Sequence, residues 1–454
     1  MKGKITVSGN IKIENISYDF FQAIKNEMII PNPLYSTLER LGKRTYNVPK
    51  TYQMYTKIGD NVFIPFGSVS FFKEYIKQCS YIGIQRPEKK ITLSIKVPPL
   101  DYQKKAVDFV ISKHFHRGVI VGSTGSGKTN IGLYIIKKLG LRALWVTHTR
   151  DLLKQSRERA YDIFGKNLSA GEITAGKINI GKDITFATIQ TLSKVVDSVK
   201  NEFDVIIVDE AHHCVGSPTL TTMFYKTMNK MVAFYKFGLT ATPHRADGLD
   251  KMIFAILGNI VYEIPASDVK SRVLPINYSI ISNKKYYDFW QYTDSAGRLD
   301  YIALTKLLAF DNDRNQLLID LVKKIYSSSG GILILCKLVK HCEILYNLLL
   351  KENFKVDIIV GKTTHRESIL KSKETKIIVA TNSLAKEGLD LVRYSDLIIA
   401  YTLKQKNEFI QTAGRVRRVD GIKKIANIYE VCDESINFIK KRCFTHSNWA
   451  KKML

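Results

Sequence analysis

The sequence predicts an α/β protein in which two doubly wound parallel-sheet domains follow one another, behind a small N-terminal α+β domain. Three observations carry that expectation. The chain has 454 residues, more than one hydrophobic core organises. Short β-branched apolar runs alternate with helical segments in two separate series. One run, Val119-Ile120-Val121, leads straight into Gly122-Ser123-Thr124-Gly125-Ser126-Gly127-Lys128-Thr129. The expected divisions are residues 1–95, 96–268 and 269–454, the last with a helix-rich linker near 280–325.

Residues 1–95 alternate in β fashion over Lys4-Ile5-Thr6-Val7 and Asn61-Val62-Phe63-Ile64, with Asn-Pro, Gly and Pro breaks between them. Tyrosines and cations interleave through Tyr35, Arg40, Lys43, Arg44, Tyr46, Lys50, Tyr52, Tyr55 and Lys57. Such a surface grips a phosphate backbone and stacks bases. A small sheet with half-buried tyrosines and solvated lysines gives the same pattern, and no motif decides between the two.

The first series continues with Ala143-Leu144-Trp145-Val146, Ile184-Thr185-Phe186-Ala187 and Val205-Ile206-Ile207-Val208, each ending in a polar residue. Ligands of open parallel sheets gather beyond the carboxyl ends of the strands, so these ends are where chemistry is expected. The Gly122–Thr129 loop fits G-x-x-x-x-G-K-[ST]. Its backbone N–H groups wrap a polyphosphate while Lys128 reaches the outer phosphates, which makes ATP the expected ligand. Val208 is followed by Asp209-Glu210-Ala211-His212. Asp209 is expected to hold Mg2+ beside the hydroxyl of Thr129, and Glu210 to orient and activate the attacking water. A merely solvated acidic turn is the competing reading, and the phosphate loop upstream argues against it. Gly238-Leu239-Thr240-Ala241-Thr242-Pro243 sets small hydroxyls at another strand end, where hydrogen bonds can link the nucleotide site to nucleic acid.

The second series is Ile332-Leu333-Ile334-Leu335, Ile358-Ile359-Val360, Ile377-Ile378-Val379-Ala380, Leu397-Ile398-Ile399-Ala400 and Ile428-Tyr429-Glu430-Val431. The join to the first is expected near Pro265–Pro275. Within Gln411-Thr412-Ala413-Gly414-Arg415-Val416-Arg417-Arg418, Arg415 and Arg418 lie three residues apart and share one face of a helix. Arginines aimed at a transferring phosphoryl group stabilise the charge that develops on it. With this pair in one domain and the phosphate loop in the other, hydrolysis is expected to require closure. Lys284-Lys285-Tyr286-Tyr287-Asp288-Phe289-Trp290 is read as a helix that packs Phe289 and Trp290 onto the second domain, or else as an exposed aromatic wedge between strands.

The formal net charge of +27 points to a polyanionic partner, most often nucleic acid; general lysine enrichment is the alternative. The six cysteines form no C-x-x-C and read as reduced cytosolic thiols. Adjacent His212, His213 and Cys214 cannot all face one ion, and no second ligand cluster accompanies them. Neither a signal-peptide apolar run nor a membrane-length stretch occurs, so a soluble, cytoplasmic protein is expected, in the host cytoplasm for a phage product.

Read in order, these motifs resemble those of the superfamily 2 helicases, two-lobed RecA-like ATPases that move on nucleic acid, over roughly residues 97–435. The resemblance implies that Gln103 reads adenine, that Arg415 and Arg418 are arginine fingers, and that Gln411 lies near the water. It implies that Gly388 and Asp390 belong to a motif touching both nucleic acid and ATP. It further implies nucleic-acid contacts at Thr149, Arg150, Thr188, Gln190, Arg245, Lys337 and Thr381. Gly238–Arg245 followed by Asp247-Gly248 is similar to DNA translocases of the XPB, restriction-subunit and RecG/UvsW-like groups, and Asp209–His212 to a DEAH box. Arg245-Ala246-Asp247 stands where XPB-like proteins have Arg-Glu-Asp. The N-terminal segment, with Asn32-Pro33 and Ile64-Pro65-Phe66-Gly67, resembles the small DNA-binding leader of phage UvsW-type helicases. The implied activity is ATP- and Mg2+-dependent remodelling of branched or forked DNA, by branch migration and fork regression, in recombination, replication or repair. An RNA helicase or transcript-release motor, and the motor subunit of a restriction-type complex, stay open as alternatives.

Overall fold

A computed structural model describes residues 3–84, 87–88, 91–123, 125–174, 177–215, 218–245, 247–269, 274–361, 363, 369, 375–382, 394–403, 406–416 and 425–451. The chain forms two compact units, Met1–Asp268 and Val269–Leu454.

The first unit begins with a sheet whose described strands run, edge to edge, Thr56–Ile58, Asn61–Pro65, Asn10–Glu14, Lys4–Val7 and Ser80–Ile82. Pairing is antiparallel except between Lys4–Val7 and Ser80–Ile82. Period-two alternation sends Ile5, Val7, Ile11, Ile13, Val62 and Ile64 into the core, where Phe20 and Ile24 of the helix Tyr18–Glu27 meet them. Of the interleaved tyrosines, Tyr52 and Tyr55 are buried in the sheet's core and Tyr46 is exposed.

This leader shares one hydrophobic core with the larger sheet behind it. A Cβ on Gly67 would lie 2.4 Å from the backbone nitrogen of Gly258. The Arg117 guanidinium lies 4.1 Å from the centre of the Phe66 ring. Lys236 is buried, and its ammonium donates to the carbonyls of Met231 (2.7 Å), Met228 (2.8 Å) and, across the seam, Gly9 (3.4 Å).

The larger sheet orders its described strands Lys177–Asn179, Ala170–Thr174, Ile184–Thr188, Ala143–Thr147, Val205–Val208, Tyr235–Thr240, Arg117–Val121 and Ile260–Glu263. All pairs are parallel except the hairpin of Ala170–Thr174 with Lys177–Asn179. Every residue of the five strands from Ile184–Thr188 to Arg117–Val121 is buried, as a sheet covered on both faces requires. Because these strands run the same way, the phosphate loop, Asp209 and Thr242 all emerge at one edge.

The second unit contains a parallel sheet with described strands in the order Ile276–Asn283, Ala426–Asp433, Asp396–Ile399, Ile332–Cys336, Ile377–Thr381 and Val356–Ile359. Two expectations are corrected here. The stretch from 280 does not start as helix: Ile276–Asn283 is a strand paired along its length with Ala426–Asp433, and the helices begin at Tyr301–Phe310 and Asn312–Tyr326. Phe289 and Trp290 do not pack as a pair onto the unit. They occupy a single short turn, Phe289–Gln291, in which Trp290 is 75% and Phe289 46% exposed, while Tyr287 and Tyr292 take the buried positions. The helix Asn312–Tyr326 is fixed by a buried polar network. Arg314 pairs with Asp433 (3.1 Å) and donates to the Ala400 carbonyl (2.9 Å), and Asn283 donates to Asp433 (2.7 Å).

No helix among the described residues is long and apolar enough to cross a membrane.

Candidate nucleotide site and strand-end contacts

The phosphate loop is shaped by glycine. Gly127 sits at φ +69°, and a Cβ there would meet Gln103 Nε2 at 2.4 Å. The turn delivers the chain into the helix Lys128–Leu139, whose N-terminal N–H groups favour an anion. Lys128 is buried, and its ammonium donates to the loop's own carbonyls at Gly122 (2.9 Å) and Ser123 (3.2 Å). Tyr102 donates its hydroxyl to the Ser126 carbonyl (2.8 Å), bracing the loop from the helix Asp101–Ser112. Gln103, on the same helix, is buried beside Gly127, with its carbonyl oxygen accepting from Leu100 N–H (3.1 Å).

The acidic strand end lies against this loop. Thr129 donates its hydroxyl to Asp209 Oδ2 (3.1 Å), and Ser156 donates to the same oxygen (3.3 Å). Burial pushes the Asp209 carboxyl up to about 6; the neighbouring Glu210 charge adds to the rise, while Lys128 and the Thr129 bond oppose it. A buried carboxylate raised in this way, with a hydroxyl on one oxygen, is an oxygen donor set that a divalent cation relieves, and hard cations such as Mg2+ take such ligands. Glu210 adopts φ +47°, a left-handed conformation unusual for a glutamate, and this sets its side chain apart from that of Asp209.

A chain of contacts leads away from Glu210. Its carboxylate lies 3.4 Å from His212 Nδ1, which also meets the Thr240 hydroxyl at 2.8 Å. Thr240 accepts from the Thr242 N–H (3.1 Å). The His212 and His213 rings are 4.0 Å apart, and His213 and His148 4.4 Å. Burial lowers His212 to about 4 and His148 to about 3, so both are neutral near pH 7. No group of three metal-ligating side chains occurs among the described residues.

The proposed strand contacts divide. Arg150 is exposed and borders a groove of about 370 Å³ with Lys154, Arg157, Glu172, Thr188 and Thr191. Thr149 and Thr188 cap the helices Arg150–Phe164 and Ile189–Val199, accepting from Leu152 N–H (3.4 Å) and Thr191 N–H (3.3 Å). Gln190 donates to the His148 carbonyl (3.0 Å). Arg245 is drawn inward instead. Its guanidinium donates twice to Asp247 (2.9 and 2.6 Å) and once to the His212 carbonyl (2.9 Å), so it braces the acidic strand end.

In the second unit, Lys337 follows the strand Ile332–Cys336 and lies 5.8 Å from the Tyr401 ring centre, and Thr381 is buried at the end of Ile377–Thr381. Gln411 and Arg415 lie four residues apart on the helix Lys406–Val416. That helix is tied to the strand ends by Asn382, which donates to Glu408 (2.7 Å) and accepts from Thr412 (3.4 Å). Thr124, Gly388, Asp390 and Arg418 lie outside the described residues, as do the side chains of Gln411 and Arg415. Sequence reasoning missed Ser156 and Tyr102. Ser156 reaches Asp209 from a helix distant in sequence, and Tyr102 stands next to Gln103, where only the glutamine was read.

With this geometry in view, comparison with known proteins is informative. Residues 96–245 match the family described as type III restriction enzyme, res subunit, and residues 313–420 match the helicase conserved C-terminal domain. The chain is a superfamily 2 helicase. It is an ATP-hydrolysing helicase built on two tandem RecA-like domains. This helicase is similar to a putative ATP-dependent RNA helicase of Acanthamoeba polyphaga mimivirus, 24% identical over 476 residues, covering 100% of this chain and 86% of the relative. It is 27% identical over 362 residues to the DNA 3'-5' translocase XPB2 of Sulfurisphaera tokodaii, covering 71% of this chain and 79% of that protein. Among solved structures, a fragment of a putative HsdR subunit of a type I restriction enzyme from Vibrio vulnificus shares the fold. Its TM-score is 0.54 at 20% identity, over 74% of this chain and 65% of that one.

Proposed function

We propose that this helicase is an ATP- and Mg2+-dependent DNA translocase of the DEAH-box, UvsW-like kind that remodels branched duplexes. The hydrolytic half of the reading is carried by the Thr129–Asp209 bond of 3.1 Å with Glu210 next to it. Lys128 and the loop N–H groups bind the polyphosphate of ATP. Thr129 and Asp209 would hold Mg2+, which when bound neutralises phosphate charge. Glu210 orients the attacking water and accepts its proton. Arg415 and Arg418 are assigned to the transferring phosphoryl group, Gln411 to the water, Gln103 to adenine, and Gly388 and Asp390 to coupling with the strand. Residues 1–95 are assigned as the DNA-binding leader, and 96–268 and 269–454 as the two lobes.

A nucleic-acid partner is supported by the +27 charge, and DNA by the relative named a DNA translocase. The test is ATPase stimulation across linear, forked and four-way DNA and a matched RNA set. Forked and four-way DNA are expected to stimulate most. Stimulation by RNA but not DNA replaces this reading with that of an RNA helicase, which the mimivirus relative's name and its match to the whole chain favour.

A further inference from the structure

The exposed step at Phe289 and Trp290 has no part in the hydrolytic site. The chain has three tryptophans; Trp145 is fully buried, Trp449 half-buried, and Trp290 stands open to solvent. Its turn is nonetheless well fixed. Asp288 N–H donates to Gln291 Oε1 (3.0 Å), the Thr293 hydroxyl to the Phe289 carbonyl (3.0 Å), and Asp300 N–H to the Tyr292 carbonyl (2.9 Å). On either side, Tyr287 and Tyr292 sink into a cluster with Leu304, Leu308, Ile436 and Ile439. The Phe289 ring supports Trp290 edge-on, with centroids 5.5 Å apart at 76°. A turn fixed in this way presents the indole at a set place on the surface, which lowers the ordering needed when something stacks on it.

Its position suggests what stacks. The turn packs on the helix Tyr301–Phe310, whose Tyr301 hydroxyl bonds the Thr402 carbonyl. That helix lines a small cavity together with Lys337 and Tyr401. Both follow strands of the parallel sheet, Ile332–Cys336 and Asp396–Ile399, so the step adjoins the carboxyl edge where ligands of such sheets gather. Of the nearby acids, Asp311 and Asp313 share Lys285 at 2.6 Å, Asp294 holds Arg298 at 3.0 Å, and Asp300 caps the helix Tyr301–Phe310, while Asp288 is exposed beside the step. Lys284, Lys440 and Lys441 are exposed and make no ion pair among the described residues.

We propose that the Phe289–Trp290 step is a base-stacking site for an unpaired stretch of the nucleic-acid strand. Every base offers a π-face to an indole, so the contact is indifferent to sequence, as a translocating motor requires. The proposal rests on the reading of the chain as a nucleic-acid motor.

The full chain is titrated with a fluorescein-labelled thymidylate oligomer, reading tryptophan emission and label anisotropy together. Emission is expected to fall on binding. Trp290→Phe is expected to keep the affinity within about twofold yet abolish that fall, because a phenyl ring still stacks. Trp290→Ala is expected to weaken binding by about tenfold with basal ATPase unchanged. Quenching that survives in Trp290→Phe, or wild-type affinity in Trp290→Ala, overturns the proposal. A wild-type chain that neither binds the oligomer nor shows stimulated ATPase removes the motor reading and this site together. Stimulated ATPase with a silent Trp290 removes only the site.

Discussion

Two strand ends of this helicase, one in each unit, are finished in opposite ways. In the first unit the charged residues beyond the strands are left in tension. Asp209 is raised to about 6, Glu210 is twisted to φ +47°, and Lys128 rests on its own loop's carbonyls. In the second unit, one described strand end is closed on itself. Asp433, at the end of Ala426–Asp433, is met by Arg314 and Asn283, and Arg314 also takes the carbonyl of Ala400. The same architecture thus gives one strand end prepared for a ligand and another that locks a helix in place. Incompletely matched charge marks chemistry, and fully matched charge marks structure.

Substitutions should separate reacting groups from structural ones, the first three, of which Arg418 belongs to the second unit, acting on turnover and the fourth on stability. Lys128→Ala is expected to take ATP hydrolysis to background, measured as phosphate release, with the melting curve little changed. Glu210→Gln should lower kcat by on the order of 10²–10⁴-fold while ATP still binds. Arg418→Ala should slow turnover by on the order of 10³-fold and spare ATP affinity; unchanged turnover would remove the arginine from the mechanism. Asp433→Ala leaves Arg314 buried without its partner, so denaturant unfolding should report a loss of about 3–5 kcal/mol. If that variant instead kept its stability and lost ATPase, the division between the two strand ends would fail. The smallest effect is expected from Ser156→Ala, which removes one of the two hydroxyls on Asp209; the Mg2+ concentration for half-maximal ATPase should move by no more than about tenfold.

Strands buried on both faces were legible in the sequence because burial leaves a continuous apolar run, as in Val205–Val208 and Ile332–Cys336. Ile276–Asn283 was not, since it lies at the sheet edge with most side chains half-exposed, and its polar residues resemble a linker. The hydroxyl and carboxylate of Thr129 and Asp209 were paired from motif order alone, 80 residues apart, because parallel strands bring both to one edge. The ion pair of Arg245 was not legible in the sequence. Its acid stands two residues on, in a loop where no helix or strand periodicity says which side chains meet. Around Trp290 the sequence offered four aromatic rings, Tyr286, Tyr287, Phe289 and Trp290, with nothing to say which would be covered; the buried Tyr287 and Tyr292 answer it from either side.

The close fit of Gly67 against Gly258, and the reach of Lys236 to Gly9, bear on any attempt to pare this motor down. Removing the leader would strip the lid from an ammonium lodged among carbonyls and expose the greasy flank of Ala255 and Ile256. A trimmed engine would be expected to clump rather than run free, so the leader is better regarded as a wall of the housing than as a detachable handle.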